Sequence, residues 1–348
     1  MTLDLLLIGF GNVARRFVSL LREQRGALQR DHGVDLRVVG VATRRHGQIY
    51  SPRGVKVAAL GRQSTQSTPS RSTVDFIRDA VRRSRAAARQ GRLVVVETTT
   101  LDIQRGQPAI DHVIAALDGG AHVVTANKGP VAFAYRRLAR AAARARRQFL
   151  FEGAVMDGIP IFNLVRETLP LVDIRGFRGV VNSTTNFILT AMEEGQPFQD
   201  ALAEMQERGI AEADPSLDVD GWDAAAKTAA LANVLLGARL TPRTVDRRGI
   251  TPEIGAQAIE ARASGRRIKL VVRARRRGSH VAARVAPEAL SRDDLLAGLE
   301  GQQNAIVFQT DLLEEIAIVQ RGGSLTQTAY ALLSDLVTIS RATPRARR

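Results

Sequence analysis

The chain has 348 residues, 45% of them hydrophobic and 24% charged, which is enough for two or three subdomains with buried cores. It contains no cysteine, which excludes disulfides, thiol catalysis and thiolate metal sites, and its five scattered histidines do not have the spacing of a metal site. The formal net charge is +15, but with only 4% aromatic residues and arginines spread over the whole chain, we interpret the charge as solvated surface and expect no nucleic-acid partner.

The first half of the chain alternates apolar runs with helical patterns. The first run, 3–8, is too short for a membrane span and lacks the flanks of a signal peptide, so we expect a cytoplasmic protein. Strands are predicted at 3–8, 35–42, 92–97, 121–125 and 149–154. Helices are predicted through Leu21 and at 74–90, 107–118 and 131–147, and a loop at 53–73. Strands that are apolar on both faces and alternate with helices indicate a parallel, doubly wound, Rossmann-like sheet.

A different pattern begins near residue 154. Helices are predicted at 197–208 and 221–236, and alternating apolar segments over 266–320 indicate a mostly antiparallel sheet. The segment "TAYALLSDLVTISR" predicts a final helix. We therefore expect an α/β protein in which a dinucleotide-binding domain at 1–153 is completed by 318–348. A second, α+β domain at 154–317 would carry catalysis and the interface of a homodimer.

A glycine turn follows the first predicted strand. "LLLIGFGNVARRF" places Gly9 and Gly11 between strand and helix, with Ala14 three residues later. The first glycine permits the tight turn, the second lets the backbone approach a pyrophosphate, and the helix N-terminus, at Asn12 and Val13, stabilises the anion. This predicts dinucleotide binding; the alternative is a tight turn with no ligand.

The end of the second predicted strand bears on which dinucleotide binds. An acidic residue there would bind the ribose 2′-hydroxyl of NAD, but the sequence reads Ala42-Thr43-Arg44-Arg45. Guanidinium groups favour a 2′-phosphate, so we expect NADP to be preferred over NAD, with Arg44 as a contact. The alternative is that both arginines are simply solvated.

Lysine is rare in this chain, and two of the four lysines lie beside the expected ligand sites. The four are Lys56, Lys128, Lys227 and Lys269. Lys128 follows the fourth predicted strand, and Asp223 precedes Lys227 by four residues on a helix that Asp220 is expected to cap. A lysine can give up its proton where an arginine cannot, so these positions suggest proton transfer. The alternative is that both are surface cations.

Six motifs in order resemble the homoserine dehydrogenase family in its short form, without a regulatory domain or threonine feedback through one. They are "GFGNVA", "TANKGP", "FEGAVMDGIPIF", "GVVNSTTNFILTAM", "GIAEADPSLDVDGWDAAAK" and "GGSLTQTAYALLSDL". The resemblance implies reversible NAD(P)-dependent reduction of L-aspartate 4-semialdehyde to L-homoserine, a step in threonine, methionine and isoleucine biosynthesis. Alternatives are a related amino-acid semialdehyde reductase and a cofactor-binding homologue without activity.

The resemblance also implies residue roles. Lys227 would be the general acid and base, Asp223 would orient it and the substrate, and Lys128 would lie by the reacting oxygen and the nicotinamide. Glu212 and Asp218 would receive the substrate ammonium. The remaining implied contacts are Thr184 to substrate, and Thr98, Thr99 and Gly322 to the cofactor.

The resemblance further implies a monovalent cation, such as sodium, near the "FEGAVMDGIPIF" motif. Its ligands would be Glu152 and the backbone carbonyls of Val155, Asp157 and Ile159. The chain departs from the family pattern at Ser183, where the family usually has glycine, and at Met156-Asp157, where small residues are common.

Overall fold

The computed structural model describes residues 1–44, 47–56, 71–87, 92–207 and 215–342. The chain forms two compact units: Met1–Asn163 together with the segment from Ser324, and Leu164–Gly323. The limits expected from the sequence were 153 and 317. The functional roles expected of the two domains stay predictions.

Twelve strands form two sheets in the described part of the chain. They are β1 Thr2–Ile8, β2 Asp35–Thr43, β3 Gly47–Tyr50, β4 Leu93–Glu97, β5 His122–Thr125, β6 Phe149–Leu150, β7 Ile174–Val180, β8 Asp246–Arg247, β9 Arg266–Arg277, β10 His280–Ser291, β11 Asn304–Thr310 and β12 Glu315–Gln320.

Twelve α-helices accompany the sheets in the same residues. They are α1 Asn12–Glu23, α2 Arg25–Ala27, α3 Thr73–Ala86, α4 Ala109–Asp118, α5 Lys128–Ala145, α6 Phe162–Thr168, α7 Ser183–Met192, α8 Phe198–Glu207, α9 Ser216–Val219, α10 Trp222–Leu235, α11 Ile254–Ala263 and α12 Leu325–Ala342. Helical segments of other types are Leu28–His32, Glu152–Ala154, Met156–Gly158 and Pro242–Thr244.

The sheet of the first unit has the order β3-β2-β1-β4-β5-β6. The five strands from β2 to β6 in this order are parallel to their neighbours, which confirms the predicted doubly wound fold. The strand β3, antiparallel to β2, was not predicted because four residues with a single isoleucine give no apolar run. The order reverses at β1, so ligands are expected at the carboxyl ends of β1 and β4.

Two predicted elements of the first unit differ in the structure. The strand expected over 149–154 ends at Leu150, and two short helical turns follow, the first held by a hydrogen bond from the Glu152 N–H to Asp335 at 2.9 Å. The helix expected from 131 begins three residues earlier, at Lys128, because the Asn127 side chain caps it.

The core of the first unit includes the C-terminal helix α12. Its Leu332, Leu336 and Ile339 are fully buried in one apolar cluster with Leu5 of β1 and Phe17 of α1. The sheet of the second unit has the order β12-β11-β7-β9-β10-β8 and is antiparallel except at the short β8. This confirms the antiparallel region expected over 266–320. No described helix is both long and apolar enough to cross a bilayer.

Candidate functional site

The glycine turn of the first unit leaves an open approach to the helix that follows it. Gly9 has a φ of +89°, and a Cβ there would lie 2.8 Å from the carbonyl oxygen of Thr98, so the turn requires glycine. A Cβ on Gly11 would meet nothing within 4 Å. Gly11 is the N-cap of α1 without a side-chain cap, so no capping side chain satisfies the first N–H groups of the helix, at Asn12 and Val13. This geometry fits a pyrophosphate at the helix N-terminus.

Arg44 follows the second strand, as the sequence predicts. It is exposed in the turn directly after β2, and β2 ends with Thr43. Arg45 lies outside the described residues. Between Val41 and Arg44 there is no acidic side chain to receive a ribose 2′-hydroxyl.

The turns after β4 and β5 are joined by hydrogen bonds. The Thr98 N–H donates to the carbonyl of Ile8 at 2.8 Å, which ties the turn after β4 to the end of β1. The Asn127 side-chain amide donates to the carbonyl of Thr99 at 3.0 Å, and its oxygen accepts from the Gly129 N–H at 2.8 Å. Thr98, Thr99 and the helix that begins at Lys128 are therefore held in one assembly.

Lys128 occupies an unusual electrostatic position. It is the first residue of α5, whose first turn has no acidic side chain. The N-terminus of a helix carries partial positive charge, so a cation there is unfavourable for the helix alone.

The residues expected to bind a monovalent cation are already engaged within the first unit. The buried Glu152 carboxylate accepts backbone N–H groups from Ile161 at 2.6 Å, Phe162 at 2.9 Å and Asn163 at 2.7 Å. The Ile159 carbonyl accepts the Ile161 N–H at 2.8 Å. Among the described residues no group of three or more acidic or histidine side chains could hold a metal ion. The expected site, which also includes the carbonyls of Val155 and Asp157, stays a prediction, and we derive no catalytic step from a cation.

In the second unit the acid and lysine predicted from helical spacing form an ion pair. The Lys227 Nζ lies 2.9 Å from Asp223 Oδ2, with the two side chains 15% and 16% exposed. The Lys227 ammonium also donates to the Val181 carbonyl at 2.6 Å. Val181 directly follows β7, so this bond fixes the lysine between α10 and the end of a strand. The pair is therefore mostly buried but still reaches solvent.

Asn182 joins this pair to a second acid and was not predicted as a site residue. Its side-chain amide donates to Asp218 Oδ1 at 2.7 Å and to Asp223 Oδ2 at 3.1 Å. Its oxygen accepts the Thr185 N–H at 2.9 Å, which makes Asn182 the N-cap of α7. The sequence does carry a signal, since an asparagine directly before a helical pattern predicts a cap. One side chain therefore fixes both the start of α7 and the two acids.

The other expected residues of the second unit are placed as follows. Thr184 is 6% exposed in the first turn of α7, and Gly322 is exposed after β12. Glu212 lies outside the described residues. The expectation that Asp220 caps α10 is wrong: Gly221 is the N-cap, with a φ of +78° and no side-chain cap. Asp220 instead ends α9 in a helical conformation, whereas a capping side chain needs an extended backbone.

Ser183, which departs from the family pattern, has a specific partner. Its hydroxyl oxygen accepts the Asn304 side-chain amide at 2.8 Å, and that amide also donates to Gln320 Oε1 at 3.2 Å. Asn304 and Gln320 are each 2% exposed. The hydroxymethyl group that replaces the usual hydrogen is therefore accommodated by a buried polar contact.

A fully buried lysine of β9 is hydrogen-bonded to α7. Lys269 of β9 is 0% exposed, and its ammonium donates to Asn186 Oδ1 at 3.0 Å and to the Leu299 carbonyl. Burial, and next the neighbouring Arg267, lower the pKa of Lys269 to about 8. Asn186 also donates to the carbonyls of Gly301 and Gln303, each at 3.0 Å. The helix that carries Thr184 is therefore fastened to the segment before β11.

We expect this lysine to make the chain more stable as the pH rises. Below pH 8 Lys269 is charged in both the folded and the unfolded state. Between about pH 8 and its unfolded value near 10.4 only the unfolded state keeps the proton, so the free energy of unfolding should rise by about 3 kcal/mol. Urea unfolding at several pH values would measure this, with Lys269→Met as the reference. Equal pH dependence in both proteins would contradict it.

Comparison with known proteins agrees with the motifs. The model "Homoserine dehydrogenase, NAD binding domain" matches residues 9–152, and "Homoserine dehydrogenase" matches 160–337. The NAD(+)-dependent homoserine dehydrogenase of Pseudomonas canavaninivorans is 36% identical over 98% of this chain and 97% of its own length. The homoserine dehydrogenase of Methanocaldococcus jannaschii is 33% identical over 99% of this chain and 100% of its own.

Structural comparison gives the same result. A crystal structure of a homoserine dehydrogenase from Thiobacillus denitrificans superposes with a TM-score of 0.81 at 31% identity, covering 98% of this chain and 74% of its own. Both units are thus matched by sequence and by structure, which confirms the family indicated by the six motifs. The chain belongs to the homoserine dehydrogenase family, and is an oxidoreductase with a nicotinamide-cofactor domain.

Proposed function

We propose that the chain catalyses the reversible reduction of L-aspartate 4-semialdehyde to L-homoserine, as a step in threonine, methionine and isoleucine biosynthesis. The observation that carries the proposal is the linkage of Lys227, Asp223 and Asp218 through Asn182. An amino-acid aldehyde needs an acceptor for its ammonium and a proton for its carbonyl oxygen, and this network contains a group for each.

The proposed proton transfer involves Lys227. In the reductive direction its ammonium donates one proton to the aldehyde oxygen while hydride reaches the aldehyde carbon, and the amine is then reprotonated from solvent. Asp223, paired at 2.9 Å, keeps the lysine oriented and stabilises its charged form. In the oxidative direction the neutral amine takes the proton back. A nicotinamide cofactor supplies or accepts the hydride when bound.

We propose that Asp218 receives the α-ammonium of the substrate, together with Glu212. Asp218 is half-buried, and the Asn182 amide fixes one of its two oxygens at 2.7 Å. A carboxylate held in this way is preorganised for a cation, which reduces the entropy lost on binding. Thr184, buried in the first turn of α7, is proposed to line the same pocket.

We propose that Gly9, Gly11, Asn12 and Val13 bind the pyrophosphate, with Thr98, Thr99 and Gly322 as further cofactor contacts. Lys128 is proposed to stabilise negative charge on the reacting oxygen. A homodimer and the monovalent cation stay predictions. Light scattering on the purified protein would decide the first, and the activity in sodium, potassium and choline salts would test the second.

The decisive assay follows homoserine oxidation at the nicotinamide absorbance with NAD and with NADP. Turnover with homoserine, and much lower turnover with amino alcohols one carbon longer or shorter, would support the proposal. Absence of turnover with both cofactors would refute it. Preference for a longer or shorter amino alcohol would instead favour a related semialdehyde reductase.

We further propose that NADP is preferred and that Arg44 contacts its 2′-phosphate. The support is the exposed guanidinium directly after β2, with no acid at that strand end. The NAD(+)-dependent relative makes the opposite preference a real alternative.

We expect Arg44→Ala to raise the KM for NADP about tenfold and to leave the KM for NAD within twofold. A charge-assisted hydrogen bond to phosphate contributes about 1.5–3 kcal/mol, and NAD has no group to lose it. Steady-state kinetics with both cofactors measures the effect. Arg53→Ala, at an exposed arginine in the turn after β3, is the control. Equal changes for both cofactors would contradict the assignment.

A further inference from the structure

A buried carboxylate that the proposed reaction does not use lies at the end of β4. Glu97 is 0% exposed. Its Oε1 accepts the Thr99 N–H at 3.1 Å and also accepts the Thr99 hydroxyl, and its Oε2 accepts the Thr125 hydroxyl at 3.1 Å. Burying an ion is costly, so a fully buried carboxylate requires this kind of complete hydrogen bonding.

The Glu97 carboxylate connects the turns after two neighbouring strands. Thr99 belongs to the turn after β4, and Thr125 ends β5. The Thr125 hydroxyl oxygen also lies 3.0 Å from the Glu97 carbonyl oxygen, and the Ala126 N–H donates to the same carbonyl at 3.2 Å. Glu97 therefore fixes the distance between these two turns. They lie at the edge of the sheet where the cofactor is expected.

The connection continues to Lys128. Asn127 donates to the Thr99 carbonyl at 3.0 Å and to the Thr99 hydroxyl oxygen at 3.4 Å. The other end of the same amide caps α5, of which Lys128 is the first residue. Glu97, Thr99 and Asn127 thus form a continuous path from the buried carboxylate to the proposed catalytic lysine.

The neighbouring turn is held through Thr98. Its carbonyl lies 2.8 Å from the position of a Cβ on Gly9, and its hydroxyl lies 3.3 Å from the carbonyls of Ile8 and Gly9. A shift of the turn after β4 would therefore press on the glycine turn that is proposed to bind the pyrophosphate.

The surroundings of Glu97 suit a carboxylate better than an amide. All three side-chain hydrogen bonds described above have Glu97 as the acceptor, and an amide would turn one acceptor into a donor. The buried His112 has its Nδ1 3.6 Å from Glu97 Oε1, and this nitrogen has no hydrogen-bond partner among the described residues. Replacing the acid with an amide would reverse the hydrogen bond to Thr125 and place a neutral group beside His112, in a site that is completely buried.

We propose that Glu97 is a positioning residue for the cofactor and for Lys128. It touches neither ligand, because it is completely buried. It acts by fixing the turns at 98–100 and 125–128 relative to each other, and so places Thr98, Thr99 and Lys128. This inference rests on the proposed function for the role of Lys128, but its cofactor part does not require that homoserine be the substrate.

The test uses Glu97→Gln in the full chain, with Asp4→Asn as the matched control. Asp4 is also a buried carboxylate of the same sheet, 3% exposed and paired with Arg37, but it lies at the opposite end of β1. We expect Glu97→Gln to raise the dissociation constant of NADPH at least tenfold, by fluorescence titration, and to lower kcat at least tenfold. The KM for homoserine should stay within twofold. Asp4→Asn should lower the melting temperature without changing the NADPH dissociation constant.

A second pair of variants covers the case in which Glu97→Gln does not fold. Thr125→Val removes the hydroxyl that donates to Glu97 and should raise the NADPH dissociation constant at least threefold, whereas Thr125→Ser keeps the hydroxyl and should bind as the wild type does. An NADPH dissociation constant unchanged in Glu97→Gln and Thr125→Val, or changed equally in Asp4→Asn, would overturn the proposal. Because NADPH titration needs no turnover, failure of the homoserine assay alone would be distinguishable from failure of this inference.

Discussion

Replacing Lys227 with alanine is expected to lower kcat for homoserine oxidation at least about 10³-fold, while the dissociation constant of NADPH stays within twofold. General acid–base groups contribute about 10²–10⁴-fold, and loss of this lysine also leaves the half-buried Asp223 without its ion-pair partner. Lys227→Arg should be similarly inactive, because a guanidinium keeps its charge but does not exchange its proton near neutral pH. Steady-state and titration measurements on the same preparations would separate the two effects.

A matched control exists on α3. Asp79 and Arg83 form an ion pair with the same four-residue spacing and the same 2.9 Å distance, but the Arg83 side chain is 57% exposed. Arg83→Ala should therefore leave kcat unchanged. If Lys227→Ala retained activity within tenfold of the wild type, the proton-transfer role would have to be given to another group, with Lys128 as the first candidate.

The second large effect is expected from Gly11→Ala, which should raise the dissociation constant of NADPH at least tenfold without unfolding the chain. The φ of −80° at Gly11 suits alanine, and the new Cβ would meet no protein atom within 4 Å, so the fold should tolerate it. The proposed pyrophosphate would approach the N-terminus of α1 through this same open space, and a methyl group would occupy it. Fluorescence titration together with urea unfolding measures both quantities.

Gly26→Ala is the control for this substitution. A Cβ on Gly26 would also meet nothing within 4 Å, but this glycine lies in the short helix α2, away from the turn. The variant should bind NADPH as the wild type does. Gly9→Ala is less informative, because its positive φ and the 2.8 Å approach to Thr98 would strain the fold itself. Unchanged NADPH binding in Gly11→Ala would contradict the assigned phosphate position.

The sequence predicted those parts of the site that depend only on residues close together in the chain. The pairing of Asp223 with Lys227 follows from the helical repeat, and the glycine turn follows from two residues between a strand and a helix. Both are formed within a few residues of chain. The wrong assignment of Asp220 as an N-cap was also local. It failed because the short helix α9 was not predicted, and Asp220 is the C-cap of that helix, with a helical backbone.

The parts that the sequence did not predict depend on contacts between distant segments. Asn182 binds acids 36 and 41 residues further along, and Glu97 meets Thr125 28 residues later. Neither residue type is unusual at its position, since an acid after an apolar strand and an asparagine before a helix are common. Their importance depends on which turns the sheet brings together, and the register of a sheet is not encoded in any single segment.

The return of α12 to the first unit has a consequence for synthesis on the ribosome. The helix that completes the apolar cluster around Leu5 and Phe17 is made only after residue 324, when all of the second unit has already been translated. Domains usually fold in the order of their synthesis, N-terminal first. Until α12 has been made, the apolar cluster around Leu5 and Phe17 stays partly uncovered. We therefore expect the N-terminal unit to reach its final packing after the second unit, although it is made first.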